Sequence, residues 1–308
     1  MIELSVIIPF RNAATTLPQC LDALRAQELR ADRFEVIAID NNSTDASAEL
    51  VRRYPEVQLL AESAPGAYAA RNRGVAAARG RILVFTDPDC VADPRWLATI
   101  EREMAASDTA ILLGGYVLPR HSRVLELLIC YENTKDAYVF STDDPRLYYG
   151  HTNNMAVRRD VFERFGPFVQ RLRGADTIFV RRVVGALPCS TVRYCPTAVV
   201  DHLELRHART YFGKMTLYGE SRESYREVSW TRPLTLRERI VVFRRARATH
   251  RLSPARTAQL CALLMVGLVA WRIGRTRAQW RRLRRERSES ESVPTRTAAS
   301  PDPSSPAR

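Results

Sequence analysis

The stretch Ile82-Leu83-Val84-Phe85-Thr86-Asp87-Pro88-Asp89-Cys90 decides the reading of this chain. Its first four residues are a continuous apolar run, short and sharply bounded, which predicts a buried β-strand. Pro88 has no amide hydrogen to give to a neighbouring strand, so the strand stops and the chain turns there. Asp87 and Asp89 are thereby predicted to stand on a rigid loop at the carboxyl end of a strand, where open α/β sheets take their ligands. Two carboxylates one residue apart at such a place suit a hard divalent ion, and through it a diphosphate. Asp and Pro also serve ordinary turns, and D-x-D is short and common, so the surrounding pattern has to decide.

Upstream, Leu4-Ser5-Val6-Ile7-Ile8-Pro9 reads as a first strand, nearly continuous in apolar residues as in a parallel sheet covered on both faces. Thr15 or Thr16 caps a helix with Pro18 in its first turn, and Leu17, Leu21 and Leu24 recur at helical spacing. Glu35-Val36-Ile37-Ala38-Ile39-Asp40 is a second strand ending in a carboxylate, followed by turn and cap residues 41–45 and a helix to about Arg53. Val57-Gln58-Leu59-Leu60 is a third strand, and a helix opens at Gly66 and ends by Gly80. The order β-α-β-α-β-α-β predicts an α/β fold: a doubly wound, mostly parallel sheet with helices on both faces. Neither G-x-G-x-x-G nor G-x-x-x-x-G-K-[ST] occurs, so a bound nucleotide would be held by acids and a metal rather than by a glycine-rich phosphate loop.

The chain has 308 residues and a net charge of +13, with Lys135 and Lys214 as its lysines and arginine for the rest of its basic side chains. Arginine dominates from Arg222 onward, which points to anionic lipid or nucleic acid as a neighbour. Cys20, Cys90, Cys130, Cys189, Cys195 and Cys261 form no C-x-x-C pair, so no zinc ribbon or redox motif is indicated and free, mostly buried thiols are expected. Met1-Ile2-Glu3 leads straight into a strand, and a cytoplasmic setting is expected.

Four blocks come in order: Val6-Ile7-Ile8-Pro9-Phe10-Arg11-Asn12, Asp40-Asn41-Asn42-Ser43-Thr44-Asp45, Ala70-Arg71-Asn72-Arg73-Gly74 and Phe85-Thr86-Asp87-Pro88-Asp89. Together they resemble the family 2 glycosyltransferases, which have the GT-A fold. The likeness continues over residues 2–225. Thr152-Asn153-Asn154-Met155-Ala156-Val157-Arg158-Arg159 resembles the family's N-x-A-x-R-R strand, and Gly174-Ala175-Asp176-Thr177 stands where the family commonly has Gly-Glu-Asp. Tyr194 to His202 resembles the strand that ends in a metal-coordinating histidine.

The resemblance implies an inverting, metal-dependent sugar transfer from a nucleotide-diphosphate donor to a hydroxyl acceptor. Asp89 and His202 are the expected ligands of Mn2+ or Mg2+, which would act as a Lewis acid on the leaving diphosphate. Pro9, Arg11, Asp40, Arg71 and Asp87 are the expected donor-binding residues, with Asp87 on the ribose hydroxyls or a metal-bound water. Asp176 is the expected general base. As an ordinary residue it would be a helix cap, and a helix N-terminus is expected to lower its basicity.

The chain divides on paper into a GT-A-like domain over 1–228 (donor half 1–113, acceptor half 114–228), a basic helical region over 229–287 and a disordered tail over 288–308. Residues 257–271 carry no charge and are flanked by Arg256 and Arg272. That apolar length is short of the roughly 20 residues of a membrane span, and predicts an in-plane or re-entrant helix at the inner face of the cell membrane, near a glycan or lipid-linked acceptor. A nucleotidyltransferase with the same acidic metal site, and a non-catalytic basic nucleic-acid binder, are the competing readings; the first lacks its usual phosphate loop, and in the second the arginines would not flank an apolar segment.

Overall fold

The computed structural model describes residues 2–106, 108–119, 121–171, 173–203, 207–224 and 232–291. Leu4–Phe10 forms β1, and all seven of its residues are buried. A strand covered on both faces belongs at the centre of a sheet. Phe34–Asp40 (β2) pairs with it on one side and Ile82–Thr86 (β4) on the other, both parallel. Val57–Ala61 (β3) adds in parallel outside β2. The chain therefore steps outward from β1 through β2 to β3, then returns to the opposite side of β1. The connections diverge between β1 and β4 and leave a crevice at the carboxyl ends of those strands.

Alternation along the strands sorts the core into two layers. Leu4, Val6 and Ile8 of β1 and Val36 and Ala38 of β2 pack with Leu17, Leu21 and Leu24 of α1 (Leu17–Arg25). Ile7, Ile37, Ile39, Leu83 and Phe85 point the other way, against Tyr68 and Ala70 of α3 (Ala67–Ala77). A short α2 (Ser47–Val51) joins β2 to β3. Gly74 lets α3 lie on the sheet: a Cβ there would come within 2.6 Å of Ile7 Cγ2 and 2.7 Å of Ile39 Cδ1.

The second half departs from the parallel pattern. Asn154–Arg158 (β7) inserts antiparallel between β4 and Ile111–Tyr116 (β6), and β6 runs parallel to Val192–His202 (β8). Cys90–Ala92 (β5), a three-residue strand that the sequence does not advertise, closes the edge antiparallel to β8. The complete order is β3-β2-β1-β4-β7-β6-β8-β5. Trp96–Ala105 (α4) covers one face, while Arg159–Phe165 (α6) and Ala175–Val184 (α7) cover the other.

Arg123–Val139 (α5) was not legible in the sequence, and its buried Thr134 and Asp136 explain why. Polar residues on the inward face break the apolar periodicity by which a helix is read. Leu127 and Tyr131 of α5 pack with Val242 and Ala246 of α9 (Leu236–Thr249) and Leu260 of α10 (Pro254–Glu291). The basic region after residue 228 thus lies against the body. Ala208–Ser224 (α8) runs against α10 at backbone contact: a Cβ on Gly274 would fall 1.9 Å from the Thr216 carbonyl oxygen. Residues 288–291, expected in a tail, continue α10, and residues 292–308 lie outside the described residues.

Candidate active site

The acidic turn is built by the two strands that flank it. The Asp87 carbonyl accepts from the Cys90 amide at 3.1 Å, closing a tight turn over Pro88. The chain then enters β5, whose Cys90 stands opposite His202 of β8, and the Leu203 amide donates to the Asp89 carbonyl at 2.8 Å. This register, rather than proximity along the chain, sets Asp89 against His202. Asp89 Oδ2 lies 3.2 Å from His202 Nδ1, and the two side chains are 12% and 8% exposed. The Cys90 thiol completes a cluster of possible metal ligands, with burial pushing its pKa well above the usual range. On the far edge of the imidazole, Lys214 of α8 brings its Nζ to 3.2 Å from Nε2.

Asp87 takes a different partner. Its Oδ1 accepts from Arg71 Nη2 at 2.5 Å, with the Arg71 side chain 5% exposed and that of Asp87 30% exposed. Arg71 sits one turn after Tyr68 on α3, and its guanidinium carbon stands 5.1 Å from the Tyr68 ring centroid. The Tyr68 hydroxyl in turn lies toward Asp176 and favours its ionised carboxylate. One face of α3 therefore binds Asp87, just past the end of β4, through Arg71 and turns Tyr68 toward Asp176 of α7. The Nε of Arg71 is buried with no acceptor among the described residues.

Asp176 occupies the first turn of α7, which begins at Ala175, earlier than the sequence suggested. The Thr177 amide donates to its Oδ1 at 2.8 Å and the Thr152 amide to its Oδ2 at 3.4 Å. The expected loss of basicity at a helix N-terminus does not hold. Burial raises the carboxyl's pKa; the Thr177 amide, the Arg71 charge, the Tyr68 hydroxyl and the Thr152 amide pull it back only in part. Ala175, where the family commonly has Glu, is fully buried in the core.

The other expected donor residues are spread along the same sheet edge. Asp40 ends β2, and its Oδ1 accepts from the Ser43 amide at 2.9 Å, which folds the following turn. Arg11 is exposed just past the end of β1. Pro9 is a buried residue of β1 opposite Ile39, so it shapes the strand end rather than presenting a group to the crevice.

Several motif residues prove to do structural work. Asn72 holds the backbone of Phe168 with two bonds of 2.8 and 3.0 Å. Arg158 donates to the Thr109 and Met104 carbonyls, and Arg159 to those of Gly80 and Ala78, satisfying backbone oxygens at the ends of α4 and α3. Asn154 ties Trp96 to the Gly115 and Ala198 carbonyls.

Sequence reasoning missed a buried polar cluster on α5. The Lys135 ammonium pairs with Glu132, Tyr149 donates to Asp136, and Tyr211 of α8 donates to Glu132 at 2.8 Å. Burial raises the Asp136 pKa. The cluster seats the loop 149–152, whose Gly150 and Thr152 amides reach Thr177 and Asp176. The rarity of lysine in this chain was the signal that could have found both Lys135 and Lys214.

A parallel half with acids at its switch point, joined to a mixed second half whose strand β8 brings a histidine to one of them, is the GT-A arrangement. Residues 5–166, more than half of the chain, match the model of the family described as glycosyl transferase family 2, and the protein belongs to that family. The description of that family speaks for sugar transfer and against the nucleotidyltransferase and nucleic-acid-binding readings. The glycosyltransferase AglE of Haloferax volcanii is 33% identical over 193 residues, 59% of this chain and 61% of AglE, so the chain spans less than two thirds of that relative. A PGL/p-HBAD biosynthesis glycosyltransferase of Mycobacterium bovis is 26% identical over 250 residues, 78% of this chain and 90% of that protein. The solved mannosyltransferase PcManGT from Pyrobaculum calidifontis, in complex with GDP-Man and Mn2+, has the same fold, with a TM-score of 0.60 over 94% of this chain and 83% of its own at 19% identity.

Proposed function

We propose that the protein is an inverting, divalent-metal-dependent enzyme that moves a sugar from a nucleotide-diphosphate donor to a hydroxyl acceptor in cell-surface glycan or glycolipid synthesis. The observation that carries this reading is the Asp89–His202 pair at 3.2 Å beside Asp87, with a separate buried acid, Asp176, at the start of α7. A buried carboxylate oxygen and an imidazole nitrogen in contact distance are a donor set that fits Mn2+ or Mg2+. The Cys90 thiol beside them is a soft donor, less well matched to such a hard ion than the carboxylate and the imidazole. Bound at Asp89 and His202, the ion supplies positive charge to the diphosphate leaving group.

The remaining work falls to the chain. Arg71 holds Asp87 in place and keeps a buried Nε–H for an anionic or hydroxyl oxygen of the donor. Asp87, Asp40, Arg11 and the strand end at Pro9 line the nucleotide side. Asp176 takes the proton of the acceptor hydroxyl while that oxygen bonds to the anomeric carbon. The bond from that carbon to the diphosphate oxygen breaks, and its electron pair leaves with the nucleoside diphosphate. A carboxyl whose pKa is raised by burial is the better base for this step. A single displacement at the anomeric carbon inverts its configuration.

The same reading places the enzyme at the cytoplasmic face of the membrane. In support, α10 is long and apolar enough to cross a bilayer by length and composition, and it exposes Met265, Val266, Leu268, Val269 and Ile273. Its close packing on α8 and its contact with α5 favour a helix lying in the interface over one that leaves the body. The test is a screen of nucleotide-sugars with Mn2+, with Mg2+ and with chelator, and an anomeric assignment of the product by NMR. Metal-independent transfer would overturn the ion's role, and a product that keeps the donor's configuration would overturn the single displacement.

A further inference from the structure

We infer that Lys214 of α8 is a ligand of the outer phosphate of the donor's diphosphate, delivered to the metal edge of the site by the C-terminal helices. This rests on the donor reading above. The Lys214 ammonium lies 3.2 Å from His202 Nε2, and the opposite nitrogen of that ring lies 3.2 Å from Asp89. The cation thus stands directly behind the two residues that face the diphosphate.

The placement of α8 is not accidental packing. Tyr211, one turn before Lys214, is buried and donates to Glu132 at 2.8 Å, which sets the rotation of the helix. Tyr218, one turn after it, continues the same face. On its other side α8 is held at backbone contact by α10. A Cβ on Gly219 would fall 2.1 Å from the Trp271 carbonyl oxygen, and one on Gly274 would fall 1.9 Å from that of Thr216. A helix fixed on both sides presents its lysine at a defined point.

The residue type also speaks. In a chain whose other basic side chains are arginine except for Lys135, a lysine here is a departure that calls for a physical reason. A guanidinium is a rigid planar fork, whereas an ammonium is a compact point charge on a rotatable stem and a recurrent phosphate binder. Lys214 can therefore pass from His202 to an incoming phosphate within the reach of its own side chain, and in doing so it uncovers His202 Nε2.

The experiment titrates GDP and UDP, and separately GMP and UMP, into the full-length protein with Mn2+ present, by calorimetry, and follows Mn2+ alone by electron paramagnetic resonance. Lys214→Met is expected to weaken the diphosphate that the wild type binds by roughly 10- to 100-fold, the worth of a charge-assisted hydrogen bond. The corresponding monophosphate and Mn2+ alone should bind as in the wild type, and Lys214→Arg should recover part of the loss. Thermal melting of both variants checks that they fold, and Lys214→Arg carries the comparison if Lys214→Met does not. Equal weakening of monophosphate and diphosphate, or loss of Mn2+ binding, would assign Lys214 to holding His202 and overturn the inference. So would an unchanged diphosphate affinity. A wild type that binds neither diphosphate would instead sink the donor reading itself, and the phosphate contact with it.

Discussion

Arg71, Arg158 and Arg159 lie in the sheet body with their guanidinium groups committed to Asp87 and to backbone carbonyls, whereas Arg244, Arg247 and Arg251 stand exposed along one face of α9 and its C-terminal turn. The apolar residues divide in the same way. Those of β1, β2 and β4 are buried on both faces of the sheet, while Leu236 and Ile240 of α9 and Met265, Val266 and Val269 of α10 face outward. Identical side chains thus serve two environments. In the body, desolvation makes an unpaired guanidinium costly, so each arginine has a defined acceptor, and of these three only Arg71 keeps a buried Nε–H over. On α9 and α10 the charges stay hydrated beside apolar groups, a combination suited to an anionic lipid surface. The comparison separates a sheet body that holds the candidate site from helices that carry hydrated charge beside exposed apolar groups, with α8 touching both.

The largest effect expected of a single change is in the sheet body. Asp89→Asn keeps shape and removes charge from the pair with His202, and transfer should fall by about three orders of magnitude or more, since ion stabilisation of a leaving group is worth several kcal/mol. Turnover and Mn2+ affinity measured together check it, and full metal-dependent turnover in the variant would break the division of labour.

Asp176→Asn comes next, with a loss of ~10²–10⁴ in turnover and nearly unchanged donor affinity. A drop in donor affinity instead would make Asp176 a binding residue. Its pH profile sharpens the point. The ionised carboxylate is the active form, and burial raises its pKa, so transfer should fail on acidification at a pH above the ordinary carboxylate value of about 3.9. That acid limb should be missing from the residual activity of the variant.

The smallest effect should come from the helices. Removing Arg244, Arg247 and Arg251 together, each to Gln, should weaken flotation with phosphatidylglycerol vesicles by about 1 kcal/mol per residue. Turnover on a soluble acceptor should not change. Full-length protein should pellet with membranes and be released by detergent more readily than by salt. Protein that stays in a high-speed supernatant without detergent would return α10 to the status of a core or subunit-contact helix.

Much of the donor half was legible because its determinants are local. Continuous apolar runs marked β1, β2 and β4, Pro88 ended a strand where two acids follow, and turn residues sat between the periodic segments. Local order of this kind predicts a parallel sheet and puts Asp87 and Asp89 at its ligand-binding edge. The resemblance also named Asp176 and His202, but not what surrounds them.

The tertiary structure alone decided three things. The antiparallel insertion of β7 between β4 and β6, and the pairing of Cys90 with His202, are matters of register between segments far apart in the chain, on which composition and periodicity are silent. The basicity of Asp176 turned on burial, which outweighs the helix terminus that the sequence could see. Lys214 reaches His202 from a helix that Gly219 and Gly274 let meet α10 at its backbone, and a contact set by the absence of side chains leaves no periodic trace to read.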